Sequence, residues 1–102
     1  MRAGAAGDRQ WLLAAGRFEF ELQLSDPLER APFALSGQIY VAQGEPMPLG
    51  DCRVRLEVGA ETRAEGRTES SGEFLFHERP DGPFRVVVEG DDWTVATPLL
   101  EP

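Results

Sequence analysis

The chain has no lysine and no asparagine, and all ten of its basic residues are arginine. A lysine-based isopeptide staple of the kind that crosslinks some bacterial surface domains therefore cannot form. N-linked glycosylation is excluded too, because an N-x-[ST] acceptor needs asparagine. The same bias, with the many alanines, glycines and arginines, points to a GC-rich bacterial genome. Cys52 is the single cysteine, so no internal disulfide is available. Small secreted domains usually carry disulfides, and their absence leans towards the cytoplasm. Long apolar runs are missing as well. Trp11-Leu12-Leu13-Ala14-Ala15 is short of the roughly 7–15 residues of a signal-peptide core and of the roughly 20 that span a membrane. A cytoplasmic protein is expected, with an exported form left open. Basic surface is scarce: 18 acidic residues against ten arginines give a net charge of −8. Nucleic acid and anionic membranes both require a basic footprint, so neither is an expected partner.

What is present describes a folded domain. Hydrophobic residues make up 41% of 102 residues, including six Phe, two Trp and one Tyr, which argues against disorder. A chain of this length forms one domain and buries roughly two thirds of its unfolded surface. Eleven glycines and eight prolines suit short strands joined by turns better than helices. Linkers, internal repeats and low-complexity tracts are not evident.

The alternation is clearest in Arg17–Leu24. Phe18, Phe20, Leu22 and Leu24 share one face, and Arg17, Glu19, Glu21 and Gln23 the other. Arg9–Ala15 before it reads as the first arm of a hairpin, with a short helix over 8–15 as the competing reading, since Ala and Leu favour helix. Residues 1–8 look frayed, and 25–32 form a polar, proline-bounded connection. Phe33–Ala42 is the next strand, with Leu35, Gly37, Ile39 and Val41 on one face. Residues 43–50 are a loop dense in Gly and Pro. Arg53–Val58 buries Val54, Leu56 and Val58, and Gly59-Ala60 turns it back into Glu61–Thr68. That strand offers a thin inner face of Thr62, Ala64 and Gly66 and is an expected sheet edge. Ser70-Ser71-Gly72 is a turn. Glu73–Glu78 places Phe74 and Phe76 on one face and Glu73, Leu75 and His77 on the other. Pro80-Asp81-Gly82-Pro83 is a second turn. Phe84–Glu89 carries Phe84, Val86 and Val88 on one face. These last two strands are read as an antiparallel hairpin. Gly90-Asp91-Asp92 turns into a final strand, Trp93–Thr97, ended by Pro98.

Several of these stretches resemble one family. TESSGEFLF (Thr68–Phe76) is similar to the T-D-x-x-G-x-F-x-F signature of carboxypeptidase-regulatory-like domains. PDGPFRVVVEG (Pro80–Gly90) is similar to their P-P-G-x-Y-x-L-x-V-x-x-x-G segment. Ser36–Val41 resembles their opening strand and Pro48–Leu56 their P-L-x-G-A-x-V-x-L segment. Glu69, Asp51-Cys52 and Asp81 depart from the pattern. The resemblance covers roughly residues 35–98. It implies a transthyretin-like (prealbumin-like) fold, in motifs that specify turns and packing and carry no catalytic residue. The expected architecture is an all-β, Ig-like antiparallel sandwich of seven to eight short strands. Residues 9–102 make one domain, 9–34 being an N-terminal hairpin extension and 35–98 the family-like core.

Candidate chemistry is sparse. His77 is the only histidine and reads as a surface residue beside glutamates rather than a base or ligand. Cys52 lacks any nucleophile signature and reads as a small core-edge hydrophobe. Ser70 and Ser71 are accounted for by their turn. Glu89, Asp91 and Asp92 lack the spacing of a calcium loop. Glu19, Glu21, Glu61, Glu65, Glu73 and Glu78 read as solvated sheet exteriors rather than a glycosidase pair. No catalysis, metal or cofactor is expected. The leading expectation is a non-catalytic protein–protein interaction or accessory module working through a sheet edge or its loops. Trp11, Leu13, Met47 and Leu49 are the candidate partner contacts, and a homodimer is one option. Trp93 is expected in the core. The alternative is an exported domain that binds carbohydrate or a cell surface, using Trp11 as a stacking platform.

Overall fold

The computed structural model describes residues 9–26 and 33–102. The segment 1–8, expected to fray, and most of the expected 25–32 connection lie outside the described residues. Eight strands and no helix are found among those described. They are β1 (Arg9–Ala15), β2 (Phe18–Leu24), β3 (Leu35–Val41), β4 (Arg53–Val58), β5 (Glu61–Arg67), β6 (Glu73–Phe76), β7 (Phe84–Glu89) and β8 (Thr94–Ala96). They form two four-stranded antiparallel sheets, ordered β1-β2-β3-β6 and β5-β4-β7-β8, packed as a β-sandwich.

The N-terminal segment is the hairpin rather than the helix. Ala15 pairs with Phe18 around a two-residue loop whose first member, Gly16, has φ +60°. A positive-φ glycine leading a two-residue loop gives the turn whose twist matches the flanking strands. Gly59 does the same between β4 and β5, with φ +62°.

The expected hairpin of β6 and β7 does not form. β6 pairs with β3 in the first sheet, and β7 pairs with β4 in the second. Residues 77–83 instead cross from one sheet to the other, a gap of about 10 Å. Both strands still aim their phenylalanines inward, from opposite sides of the core. Period-two alternation marks the buried face of a strand but is silent about its neighbour. β6 pairs with Leu35–Gln38 of β3, and β7 pairs along the whole of β4.

Thr62 is a second correction. The register shifts between Leu56 and Glu57, so Leu56 pairs with Ala64 but Glu57 pairs with Thr62. Arg63 is the extra residue. The bulge carries Thr62 out to an exposed position and leaves Ala64 and Gly66 on the inner face. The strand is nonetheless the sheet edge that its charges implied.

The core lies between the sheets. Phe20, Leu22, Leu35 and Ile39 enter from one side, and Val54, Leu56, Phe84, Val86 and Val88 from the other, all essentially inaccessible. Trp93 lies half-buried just before β8 and stacks on Phe18 at 4.7 Å between ring centroids. Gly37 sits where β3 needs the least bulk. A Cβ there would come within 2.6 Å of both Leu22 and Phe74.

One buried polar group ties the loop before β4 to the end of β5. The Thr68 hydroxyl donates to the Leu49 carbonyl at 2.6 Å and accepts the Cys52 amide at 2.9 Å. Two backbone bonds, Thr68 N–H to the Cys52 carbonyl and Asp51 N–H to the Thr68 carbonyl, complete the clasp. Thr68→Val keeps the shape but strands a buried amide and a carbonyl. Leaving buried groups unsatisfied costs about 1–3 kcal/mol. The urea midpoint should fall accordingly with an unchanged m-value.

Candidate interaction surface

The two outer faces of the sandwich differ in charge. On the second sheet, arginines and carboxylates interleave. Arg55 Nη1 donates to Glu89 at 2.6 Å, and Arg55 Nε donates to Glu57 at 3.3 Å. Arg53 and Arg85 lie 3.9 Å from Glu89 and Glu57 respectively. Arg63 reaches both Glu61 and Asp81 at 3.2 Å. The hydrogen bond from Arg55, and then the charges of Arg55 and Arg53, hold the Glu89 carboxyl below the usual carboxylate range. Val87 lies buried on this face although its side chain points away from the core. Long arginine stems cover apolar surface while their heads stay wet. This face neutralises itself and presents little that is unpaired.

The outer face of the first sheet is of another kind. By alternation it presents Gln10, Leu12 and Ala14 from β1, Glu19, Glu21 and Gln23 from β2, Ser36, Gln38 and Tyr40 from β3, and Glu73 and Leu75 from β6. None of these is an arginine. Leu12 is 81% exposed, Leu75 50% and Tyr40 40%. A trough of about 1150 Å³ runs across this face, lined among others by Leu12, Glu21, Ser36, Gly37 and Leu75. The Tyr40 phenol lies 3.1 Å from Glu21 Oε1 and 3.0 Å from Gln38 Oε1 and shares its one proton between them. The bond to Glu21 is the main cause of the phenol pKa rising above its ordinary value.

The sheet edges differ as sharply. β5 carries Glu61, Arg63, Glu65 and Arg67 and a bulge, all of which discourage further pairing. β6 and β8 are only four and three residues long. β1 is seven residues of RQWLLAA, flat in register and uncharged after Arg9.

The hydrogen-bonding pattern shows which β1 groups face outward. Ser25 N–H donates to the Ala34 carbonyl and Ala42 N–H to the Arg17 carbonyl, so the odd-numbered residues of β2 bond to β3. Antiparallel ladders alternate sides, so the even-numbered residues of β2 bond to β1, through Arg9, Trp11, Leu13 and Ala15. The amides and carbonyls of Gln10, Leu12 and Ala14 then point away from β2, at an edge that no other strand among the described residues pairs with.

The four candidate partner contacts are placed further inside than an exposed patch would need. Leu49 is buried, and Trp11, Leu13 and Met47 are half-buried against the core. Trp11 meets Phe84 edge-on at 5.7 Å, and the Arg9 guanidinium sits 5.1 Å above its ring. Core packing claims them because they share a face with the inward residues of their segments. Leu12 and Leu75 are the exposed large apolar residues of β1 and β6. Each is an apolar side chain on the polar side of an alternation, which burial cannot explain.

The chemical candidates are kept apart. Cys52 is buried beside Thr68, in the loop leading into β4. His77 is exposed beyond the far end of β6. The length of that strand, roughly 13 Å at 3.3 Å per residue, separates their neighbourhoods. Ser70 and Ser71 occupy the exposed turn before β6, and the Ser71 carbonyl accepts from Gln38 Nε2 at 2.9 Å. Among the described residues, no group of three His, Cys, Asp or Glu side chains could hold a metal ion. Comparison of the chain with family models, curated proteins and solved structures finds no match to any of them.

Proposed function

We propose that this sandwich is a non-catalytic protein–protein interaction module that binds an extended partner segment along the open edge of β1. The observation that carries the reading is this edge: seven residues, uncharged after Arg9, with three residues presenting amides and carbonyls outward. Backbone hydrogen bonds along an edge supply affinity, and alternate side-chain positions supply selectivity. The guarded edge of β5 in the same molecule supports it, because the features that block pairing there are missing from β1. The resemblance to carboxypeptidase-regulatory-like domains is compatible with such an accessory role. The carbohydrate reading relied on a free Trp11 platform. That ring is covered on one face by Arg9 and packed on Phe84, so Trp11 does not support it.

The test is amide hydrogen exchange on the free and partner-bound chain. Free, the amides of Gln10, Leu12 and Ala14 should exchange quickly, and those of Trp11, Leu13 and Ala15 slowly. Bound, the first three should become protected. A Leu12→Pro variant removes an outward donor without touching the β1–β2 ladder. It should stay folded and lose the partner. A partner that binds with no new protection at these three amides would overturn the reading.

A further inference from the structure

We infer that the occupant of the β1 edge is a second copy of this chain, joined in antiparallel register about a two-fold axis through Leu12. The inference rests on the edge-binding reading above and names its partner. The outward-facing residues are Gln10, Leu12 and Ala14, a set symmetric about Leu12. Turned on itself, β1 sets Leu12 against its counterpart and Gln10 against Ala14, and every outward amide meets a carbonyl. Six hydrogen bonds would result, because each of the three residues contributes one donor and one acceptor.

The side chains also suit self-pairing. On the inner face, Trp11 and Leu13 are half-buried where β1 ends the sheet. In the two-fold register Trp11 of each copy lies opposite Leu13 of the other. These pairs fall at non-hydrogen-bonded positions, where Cα atoms approach to about 4.5 Å and side chains touch most closely. A partner strand has to be apolar at those two positions and neutral between them. β1 itself has that pattern. On the outer face, Leu12, 81% exposed in the single chain, packs against a second Leu12.

Charge is the main objection, since each chain carries −8. The seam itself is neutral. The nearest carboxylates on the sheet face, Glu19 and Glu21, stand one strand back on β2. Across the joined sheet the two β2 strands are three strand spacings apart, about 14 Å. That exceeds the roughly 8 Å Debye length at physiological salt, so the repulsion is largely screened. Salt should therefore tighten the dimer. The contact is small, below the roughly 1,200 Å² of standard stable interfaces, which places it among weak, reversible dimers. Assembly stops at two. The pairing is isologous, and the other edges are short, or charged and bulged.

Sedimentation velocity on the full chain, up to about 0.5 mM, tests this, with dissociation expected on the order of 100 μM. The expected result is a concentration-dependent shift from one chain mass to two, stronger at higher salt. Leu12→Lys and Leu12→Pro should each weaken the dimer at least tenfold while retaining the wild-type circular dichroism spectrum. Leu75→Lys, on the same face but on the opposite edge strand β6, three strands from β1, should leave it unchanged. A chain that stays monomeric across this range overturns the second-copy inference, while the edge reading survives if another partner protects Gln10, Leu12 and Ala14. A dimer that persists in Leu12→Pro, without protection of those amides, overturns both.

Discussion

Phe84→Ala should lower the stability of this domain by about 4 kcal/mol, within the range seen when a buried Phe is cut to Ala. The side chain is completely buried and starts β7, opposite Val58 of β4. Its backbone also bonds in both directions with Leu100, anchoring the C-terminal tail. Its ring takes the edge of Trp11, so it links the second sheet to the N-terminal hairpin. Removal leaves a cavity that no flexible neighbour fills, because the surrounding strands are pinned by their ladders. The loss consumes much of the roughly 5–15 kcal/mol available to a small domain. The thermal midpoint should drop by about 15–30 °C. Because Trp11 loses its contact, its fluorescence should change in the native state before unfolding begins. A drop of under 5 °C would show that the two sheets are not joined through this ring.

Gly72→Ala should cost nearly as much, for backbone reasons. Gly72 has φ +89°, a conformation that side chains rarely adopt. A Cβ there would also lie 2.6 Å from the Ile39 carbonyl oxygen. That carbonyl cannot swing aside freely, because the Ile39 amide is bonded to the Gly72 carbonyl at 3.1 Å and holds the turn against β3. Gly44 provides an internal control. It has the same φ of +89° but nothing within 4 Å of its Cβ position. Gly44→Ala therefore measures the conformational penalty alone, about 1–2 kcal/mol. Gly72→Ala adds the collision and should reach about 3 kcal/mol or more. Chemical denaturation of both variants separates the terms. Equal losses would mean that the turn relaxes and that the contact with Ile39 carries no energy.

The strands themselves were legible because each is short and alternates cleanly. Phe18, Phe20, Leu22 and Leu24 are all buried, as their spacing required. The turns were legible for a separate reason. Gly16, Gly59 and Gly72 hold positive φ, which a turn between strands demands and glycine supplies. The candidate surface was harder to see. Trp11, Leu13, Met47 and Leu49 drew attention as large apolar residues in segments outside the clearest strands, yet they pack inward. The informative residues are Leu12 and Leu75, apolar side chains at the exposed positions of regularly alternating strands. Open edge or paired edge is invisible in a strand taken alone, since it depends on which strand lies beside it.

The sequence by itself determined that nearly all of the chain is β, where its strands and turns lie to within a residue or two, and which face of nearly every strand is buried. These are local properties, set by side-chain period and by the φ preferences of Gly and Pro. Only the tertiary structure decided that β6 and β7 part company, one joining β3 and the other β4. Only it decided that a bulge expels Thr62, and that β1, uncharged after Arg9, ends its sheet with no further strand beside it among the described residues. Pairing is a competition among all strands for neighbours, settled by how two apolar faces close over one core. No single stretch of the chain contains the outcome of that competition.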